Sequence, residues 1–391
     1  MRIGIVTGEY PPMEGGVGDF TYHISQNLTK QGHEVHILTS QGDPETENTK
    51  EATIYRLTRD WGWASHSQIT RWMEEVKPDV LNIQYQAAAY QVRGGICLFP
   101  RWQRRNISIP IITTYHDLQP PYLFPKAGAM RDWAVCQMAQ YSNGVIVTND
   151  EDYTLLTKHL TGKTPSPQIR LIHIGSNIAP NPPTGYQRDA WRAEHGVKKD
   201  ELLLGFFGFL NRSKGVETLL KATAALIQNG LPARLVFIGG RTGSSDITNL
   251  AYADEIDAFI EKLGISEQVD RTGFSTPAEV SAALLATDIC ALPYRDGASL
   301  RRGTLHACLA HGCSIVTTYP EHMSPKLERQ QAMHMVPPKD SDALAKAILD
   351  LWEKPDLRKK MGEEAATLAT EFSWDRIAAL TGDFFTTLAN K

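Results

Sequence analysis

The sequence predicts an α/β protein of two doubly wound domains, each a parallel sheet covered by helices. Three observations carry that expectation. Short apolar runs recur along all 391 residues, with helical patterns between them. The runs are continuous rather than alternating in polarity, as strands buried on both faces require. The most proline-rich segment, Ala179-Pro180-Asn181-Pro182-Pro183-Thr184-Gly185, divides them into two series and reads as a linker.

In the first series the expected strands are Ile3–Thr7, Val35–Thr39, Val80–Gln84, Pro110–Thr114, Gly144–Thr148 and Ile169–Ile174. The second comprises Leu202–Phe207, Ala233–Ile238, Asp288–Leu292, Cys313–Thr317 and Ala332–Val336. Helical periodicity over Thr21–Gln31 and Val216–Asn229 places helices between strands, so the chain reads as repeated βαβ units. This assigns 1–178 to one domain and 179–374 to another. Doubly wound sheets bind ligands at the carboxyl ends of their strands, so two such domains facing one another make a cleft.

Composition narrows the class. With 42% hydrophobic and 21% charged residues, the chain is an ordinary globular one. A net charge of −4 gives no sign of a nucleic-acid-binding tail. The five cysteines form no Cys-x-x-Cys pair and read as buried reduced thiols. No apolar run reaches the roughly 18 residues of a spanning helix, and the N-terminus opens directly on a strand. A cytoplasmic enzyme is the expectation.

Three glycine-marked turns between strand and helix are candidate phosphate loops. The first, Glu14-Gly15-Gly16-Val17-Gly18-Asp19, pairs close backbone approach with a helix start, although a plain tight turn needs similar residues. Its glycines do not have Gly-x-Gly-x-x-Gly spacing. The second, Gly208-Phe209-Leu210-Asn211-Arg212-Ser213-Lys214-Gly215, sets two cations at a helix start. Arg212 offers a bidentate fork and Lys214 a point charge for a diphosphate. The third runs from Asp296 through Ser299, Leu300, Arg301 and Arg302 to a helix entered at Gly303-Thr304 and closed by His311-Gly312. Adjacent arginines diverge from one backbone, so one of Arg301 and Arg302 is expected to face the ligand. A solvated basic turn is the competing reading for the last two loops.

Taken in order, these segments resemble family 4 of the glycosyltransferases, a retaining group with the GT-B fold of two Rossmann-like domains. The likeness spans essentially the whole chain. It is carried by Tyr10-Pro11-Pro12 with Gly15-Gly16-Val17, by Gly208 through Gly215, and by Gly273-Phe274. Further on it is carried by Ala286 through Pro293, Leu305-His306-Ala307-Cys308-Leu309-Ala310-His311-Gly312 and Phe372-Ser373-Trp374. The resemblance implies a nucleotide diphosphate-sugar donor, most often UDP-linked, with glucose the default sugar. It also implies a final helix, 375–391, returning to the first domain. By the same resemblance, Gly16 lies near the donor phosphates and His116 at the reacting sugar. Lys214 neutralises the diphosphate and Phe274 contacts the base through its backbone. Ser299 to Arg301 present amides to sugar hydroxyls.

Two departures stand out. Where the family carries two glutamates seven residues apart, this chain has Ala298 and His306. His306 is then a candidate for a ribose contact and Asp296 for the donor sugar. The family's loop arginine is Phe209 here, with Arg212 as the candidate replacement.

Sugar transfer builds negative charge on the departing diphosphate, and preorganised donors usually supply the largest catalytic term. Lys214, one of Arg301 and Arg302, and helix N-termini fit that role without a metal or other cofactor. His116 is expected to position the sugar rather than act as a free base. Two Asp-x-Asp matches, Asp150-Glu151-Asp152 and Asp340-Ser341-Asp342, read as helix N-caps rather than metal ligands. The acceptor is expected to be a glycan or a lipid-linked sugar. Residues 93–105 mix four arginines with aromatic and aliphatic residues, which suits an anionic membrane surface, an acceptor groove or a solvated face. The alternative to an active transferase is a non-catalytic nucleotide-binding or regulatory protein, and Ala298 and His306 are the residues that favour it.

Overall fold

A computed structural model describes residues 1–13, 15–104, 106, 108–118, 128–240, 247–321, 323–328 and 331–390. Glu14 of the first glycine loop and Arg105 of the arginine-rich segment lie outside them. The chain forms two compact units, Met1–Gly175 with Ser373–Lys391, and Ser176–Phe372.

The first unit contains β1 (Arg2–Thr7), α1 (Gly16–Lys30), β2 (Glu34–Ser40), β3 (Thr46–Asn48), β4 (Thr53–Thr58) and α2 (Ala64–Val76). It continues with β5 (Val80–Tyr85), α3 (Phe99–Gln103), β6 (Ile111–Tyr115), α4 (Gly128–Tyr141), β7 (Gly144–Val147), α5 (Asp150–Leu160) and β8 (Gln168–Leu171). The second unit contains α6 (Arg188–Glu194), β9 (Leu202–Phe207), α7 (Val216–Gln228), β10 (Ala233–Ile238), α8 (Ile247–Leu263), β11 (Val269–Arg271) and α9 (Pro277–Ala286). It is completed by β12 (Ile289–Leu292), α10 (Gly303–Ala310), β13 (Ile315–Thr318), α11 (Pro325–Glu328), β14 (Met333–Val336), α12 (Ser341–Trp352) and α13 (Pro355–Ala369). The last helix, α14 (Trp374–Ala389), belongs to the first unit and packs on α1.

The strands are ordered β3-β4-β2-β1-β5-β6-β7-β8 in one sheet and β11-β10-β9-β12-β13-β14 in the other. All pairings are parallel except β3 with β4, so the first sheet ends in a short antiparallel edge rather than being wholly parallel. The continuous apolar strands have a simple origin. Successive side chains point to opposite faces, and both faces are covered. Leu202, Leu204 and Phe206 enter one core while Leu203 enters the core on the other side of the same sheet. Ile3 and Ile5 likewise separate from Val6 across the first sheet. Each fully buried side chain of this size contributes roughly 1.5–3 kcal/mol.

Chain order reverses about β1 and β5 in the first sheet and about β9 and β12 in the second. Such a reversal opens a crevice at the strand carboxyl ends, because the two neighbouring crossovers leave on opposite faces. The loops after β9 and β12 are the second and third glycine-marked loops. Gly215 has φ +67, and a Cβ there would lie 2.0 Å from the Pro293 carbonyl oxygen. Arg295 N donates to Ser213 O at 2.8 Å, so the two loops are joined backbone to backbone.

The helix starts separate the two acidic motifs. Asn149 caps α5 by accepting from Asp152 N at 2.8 Å, so Asp150 and Asp152 occupy the first turn rather than the cap itself. Asp340 does cap α12, accepting from Asp342 N and Ala343 N. Cys97, Cys290, Cys308 and Cys313 are buried, Cys136 is partly buried, and all five are free thiols. No helix among the described residues is long and apolar enough to cross a membrane.

Candidate donor and transfer sites

In the second unit the crevice after β9 and β12 collects cations. The chain turns through Arg212–Lys214 in one 3-10 turn, and Gly215 in the left-handed region starts α7. This folds Lys214 back over the loop. A Cβ on Gly208, at φ +114, would lie 2.3 Å from Lys214 Nζ and 2.8 Å from Thr304 Cγ2. Glycine at 208 is thus what leaves room for the ammonium beside the start of α10. Among the described residues Lys214 has no acceptor or carboxylate partner. Burial, reinforced by the charge of Arg302, lowers its pKa from 10.5 to about 8.

Arg302 is the second cation of this cluster. Its guanidinium lies 4.1 Å over the ring centre of buried Tyr294 and pairs with Asp296. Its Nε is buried without an acceptor among the described residues. Tyr294 Oη and Thr304 Oγ1 are 2.8 Å apart, which ties the loop after β12 to the first turn of α10. Leu305 N donates to Arg302 O at 3.0 Å, which leaves the Gly303 and Thr304 N–H groups without a backbone acceptor among the described residues, at the positive dipole end of the helix. Lys214, Arg302 with its partner Asp296, and the start of α10 thus meet at one place, an arrangement whose positive groups can receive an anion.

The remaining expected donor residues are placed as follows. Arg212 reaches both carboxylate oxygens of Glu255, at 2.8 and 2.6 Å, and lies 4.9 Å over Tyr252. Asp296 is engaged by Arg302 and lies 3.7 Å from Arg301. Ser299 accepts from Arg301 N at 3.5 Å, and Leu300 is buried. His306 is only 2% exposed; its Nε2 is 2.7 Å from the Leu300 carbonyl oxygen and its ring packs edge-on to Phe372. It pins the loop from within. Ala298 is also buried, with its N–H donated to Thr318 O. Phe274, by contrast, is 86% exposed and lines a pocket of about 510 Å³ with Tyr186, Trp191 and Arg271.

In the first unit, His116 follows β6 and its backbone N–H donates to Tyr85 O. Its tautomer follows from a buried chain of amides. Asn82 Nδ2 donates to the Ile112 carbonyl and to Thr114 Oγ1, at 3.2 and 2.9 Å, which fixes that amide. Asn82 Oδ1 then accepts from Gln84 Nε2, leaving Gln84 Oε1 to accept from His116 Nε2–H at 2.7 Å. Nδ1 is left as a lone-pair acceptor. Burial lowers the imidazole pKa from 6.5 to about 3, so the ring is neutral across the physiological range. Phe20 packs edge-on against it at 4.6 Å and is backed by Trp374. Asn82 and Gln84 were not singled out from sequence. Two amides at alternate positions of an otherwise apolar strand were the available signal, since a buried amide needs partners.

At the third expected position, Gly16 opens α1 with free space where a Cβ would stand. The neighbouring N–H groups are already used. Glu9 Oε1 accepts from Val17 N at 2.9 Å and from Gly18 N at 3.3 Å. A Cβ on Gly15 would lie 2.2 Å from that carboxylate, which explains glycine there. Burial raises the Glu9 pKa against the opposing effect of the two N–H bonds. Glu9 was missed because nothing local marks a carboxylate folding back onto the next helix.

Two family matches divide the chain along these lines. Residues 14–179 match "Glycosyltransferase Family 4" and residues 187–368 match "Glycosyl transferases group 1". The chain belongs to glycosyltransferase family 4. It is a GT-B glycosyltransferase using a nucleotide-sugar donor. The D-inositol 3-phosphate glycosyltransferase of Corynebacterium jeikeium is 28% identical over 417 residues, covering 97% of this chain and 94% of that one. Among solved structures, sucrose-phosphate synthase from Thermosynechococcus elongatus superposes with a TM-score of 0.77 at 18% identity, covering 99% of this chain and 98% of the other. Anabaena HepE, in complex with UDP and glucose, gives 0.73 at 16% identity over 99% and 100% of the two chains. At these identities the two structures establish the shared fold.

Proposed function

We propose that this glycosyltransferase is a retaining, metal-independent hexosyltransferase that takes its sugar, glucose as the default, from a UDP-linked donor. The acceptor in this reading is a glycan or a lipid-linked sugar. The carrying observation is the ammonium of Lys214, without a partner among the described residues, beside Arg302 and the start of α10. A departing diphosphate needs stabilisation that is already in place when charge develops, and two fixed cations with a helix dipole supply it. In this assignment Lys214 and Arg302 hold the diphosphate, and Thr304 and the amides near Ser299, Leu300 and Arg301 border the sugar. Phe274 presents its backbone to the base. His116 positions a sugar hydroxyl through Nδ1, which suits a group too weakly basic to take a proton. Retention then comes from attack on the face the leaving group departs from. Arg212 and Arg302 are each paired with one carboxylate, Glu255 and Asp296; Arg302 is assigned the inner position because its charge bears on Lys214, and Arg212 stands at the outer side of the same loop.

The UDP complexes of HepE support uridine as the first base to test. Thermal unfolding with uridine, guanosine, adenosine and thymidine diphosphates, each with and without chelator, tests the reading. A ligand at about 100 times its dissociation constant adds roughly 2.7 kcal/mol of stability. Stabilisation by uridine diphosphate that chelator leaves unchanged is expected. Stabilisation only with a divalent ion overturns metal independence, and none with any nucleotide overturns the donor assignment.

A second reading, nucleotide binding without turnover, is favoured by buried Ala298 and His306, which bring no carboxylate to the sugar. Release of uridine diphosphate from uridine diphosphate-glucose over a panel of sugar acceptors separates the two.

A further inference from the structure

On the flank of the first unit, Trp63, Trp102 and Trp133 are 61%, 58% and 49% exposed. With Arg101, Arg104 and Tyr141 they line a groove of about 920 Å³. Large aromatic side chains are seldom left in water together, and such a cluster marks a surface that is covered in use. The rings are held stiffly. Trp63 and Trp102 meet at 6.0 Å, and both contact His66, whose Nε2 lies 2.8 Å from the Gly95 carbonyl. The arginines are also placed rather than trailing in solvent. Their guanidinium carbons lie 5.2 and 5.9 Å from the Tyr141 ring centre, and Arg101 donates to Gln137 at 2.6 Å. Among the described residues, no carboxylate lines the groove or pairs with either arginine.

The combination defines a ligand chemistry. A flat indole face packs against the C–H face of a pyranose ring, and a guanidinium fork matches a carboxylate or phosphate. The shape favours a chain over a surface. Aromatic side chains that enter a membrane interface must project, whereas these line a hollow within the usual range of ligand pockets, about 300–1,000 Å³. The groove runs along the flank of the sheet from one end to the other: Trp63 and Leu98 follow β4 and β5, at the end where His116 follows β6. Tyr141 and Pro165, which also lines it, precede β7 and β8, at the opposite end of the same sheet. A strand of five residues spans roughly 16 Å, so the groove extends to an edge at least that far from the reacting end.

We infer that this groove is a second saccharide site, which holds an anionic glycan chain along the flank of the first unit and carries it to the edge remote from the point of transfer. Its occupant rests on the reading of the protein as an enzyme that extends glycans. The tryptophans grip sugar rings and the arginines select a polymer carrying carboxylates or phosphates.

Tryptophan fluorescence titration of the full chain tests this with an oligogalacturonate, a malto-oligosaccharide of equal length, and phosphatidylglycerol vesicles. The oligogalacturonate is expected to quench saturably, with the neutral chain at least about tenfold weaker. Trp102→Ala and Arg104→Glu should each weaken binding about tenfold or more. Stabilisation by uridine diphosphate should be unchanged in both variants, which shows that they fold. Absent quenching by oligogalacturonate overturns the inference, as does binding that neither variant alters. Vesicle binding sensitive to both variants, without oligosaccharide binding, replaces it with a membrane surface. If oligogalacturonate binds as expected while no nucleotide stabilises the wild type, the groove stands and the donor assignment alone falls.

Discussion

Replacing Lys214 with methionine should move folding and ligand binding in opposite directions. The ammonium is desolvated beside Arg302 with no counter-charge among the described residues, and its pKa falls from 10.5 to about 8. That gap corresponds to roughly 3 kcal/mol against the charged form in the folded chain. The sign follows from proton counts. Below pH 8 both folded and unfolded chains hold the proton, and the penalty is fully present. Between about pH 8 and 10.5 the folded chain has released a proton that the unfolded chain keeps, so this group makes stability rise with pH there. A bound diphosphate reverses the balance by favouring the ammonium. Nucleotide affinity should therefore be level up to about pH 8 and fall about tenfold per pH unit above it. Lys214→Met removes the penalty, and at about 2–4 °C per kcal/mol the ligand-free protein should melt several degrees higher at pH 7. The variant should lose roughly 2–3 kcal/mol of uridine diphosphate binding, about 30- to 150-fold. Differential scanning fluorimetry and titration calorimetry between pH 6.5 and 9.5 measure both effects. A variant that melts lower without ligand, or that keeps the decline in affinity above pH 8, refutes this account of Lys214.

Gly215→Ala forces a Cβ to 2.0 Å from the Pro293 carbonyl in a left-handed backbone, and should cost about 2–4 kcal/mol, read as a lower urea midpoint. His116→Ala should lower turnover while leaving uridine diphosphate affinity within about twofold, since the role proposed for it is a sugar contact alone. In the wild type, a pKa of about 3 means His116 contributes no step to the rate profile between pH 5 and 8, and one that disappears in His116→Ala contradicts this. His306→Glu restores the family's usual residue but sets a buried carboxylate against the Leu300 carbonyl, so it should destabilise the protein by about 2–4 kcal/mol. A gain in uridine diphosphate affinity at unchanged melting temperature contradicts that reading.

Much of the architecture was legible because parallel strands covered on both faces leave unbroken apolar runs. The edges were less so. Polar β3 (Thr46–Asn48) and three-residue β11 (Val269–Arg271) carry little core, and half-buried β4 alternates in burial. Lys214 was legible as a cation in a glycine-flanked turn, but its isolation depends on Gly208, Thr304 and Arg302 meeting across two loops. Of the adjacent arginines, Arg302 is the one whose charge bears on Lys214, a distinction set by Tyr294 beneath it. The amides of Asn82 and Gln84 and the carboxylate of Glu9 act through partners distant along the chain, which no local pattern encodes.

The joint between the loops after β9 and β12 has a consequence for descent. Gly215 lies against Pro293, and Arg295 hydrogen-bonds Ser213, so the segment carrying Lys214 and the segment leading to Arg302 share one seam. An insertion or deletion in either loop shifts both cations together. Length changes that diversify this lineage are then expected elsewhere along the chain, while the two loops pass to descendants as a single heritable piece.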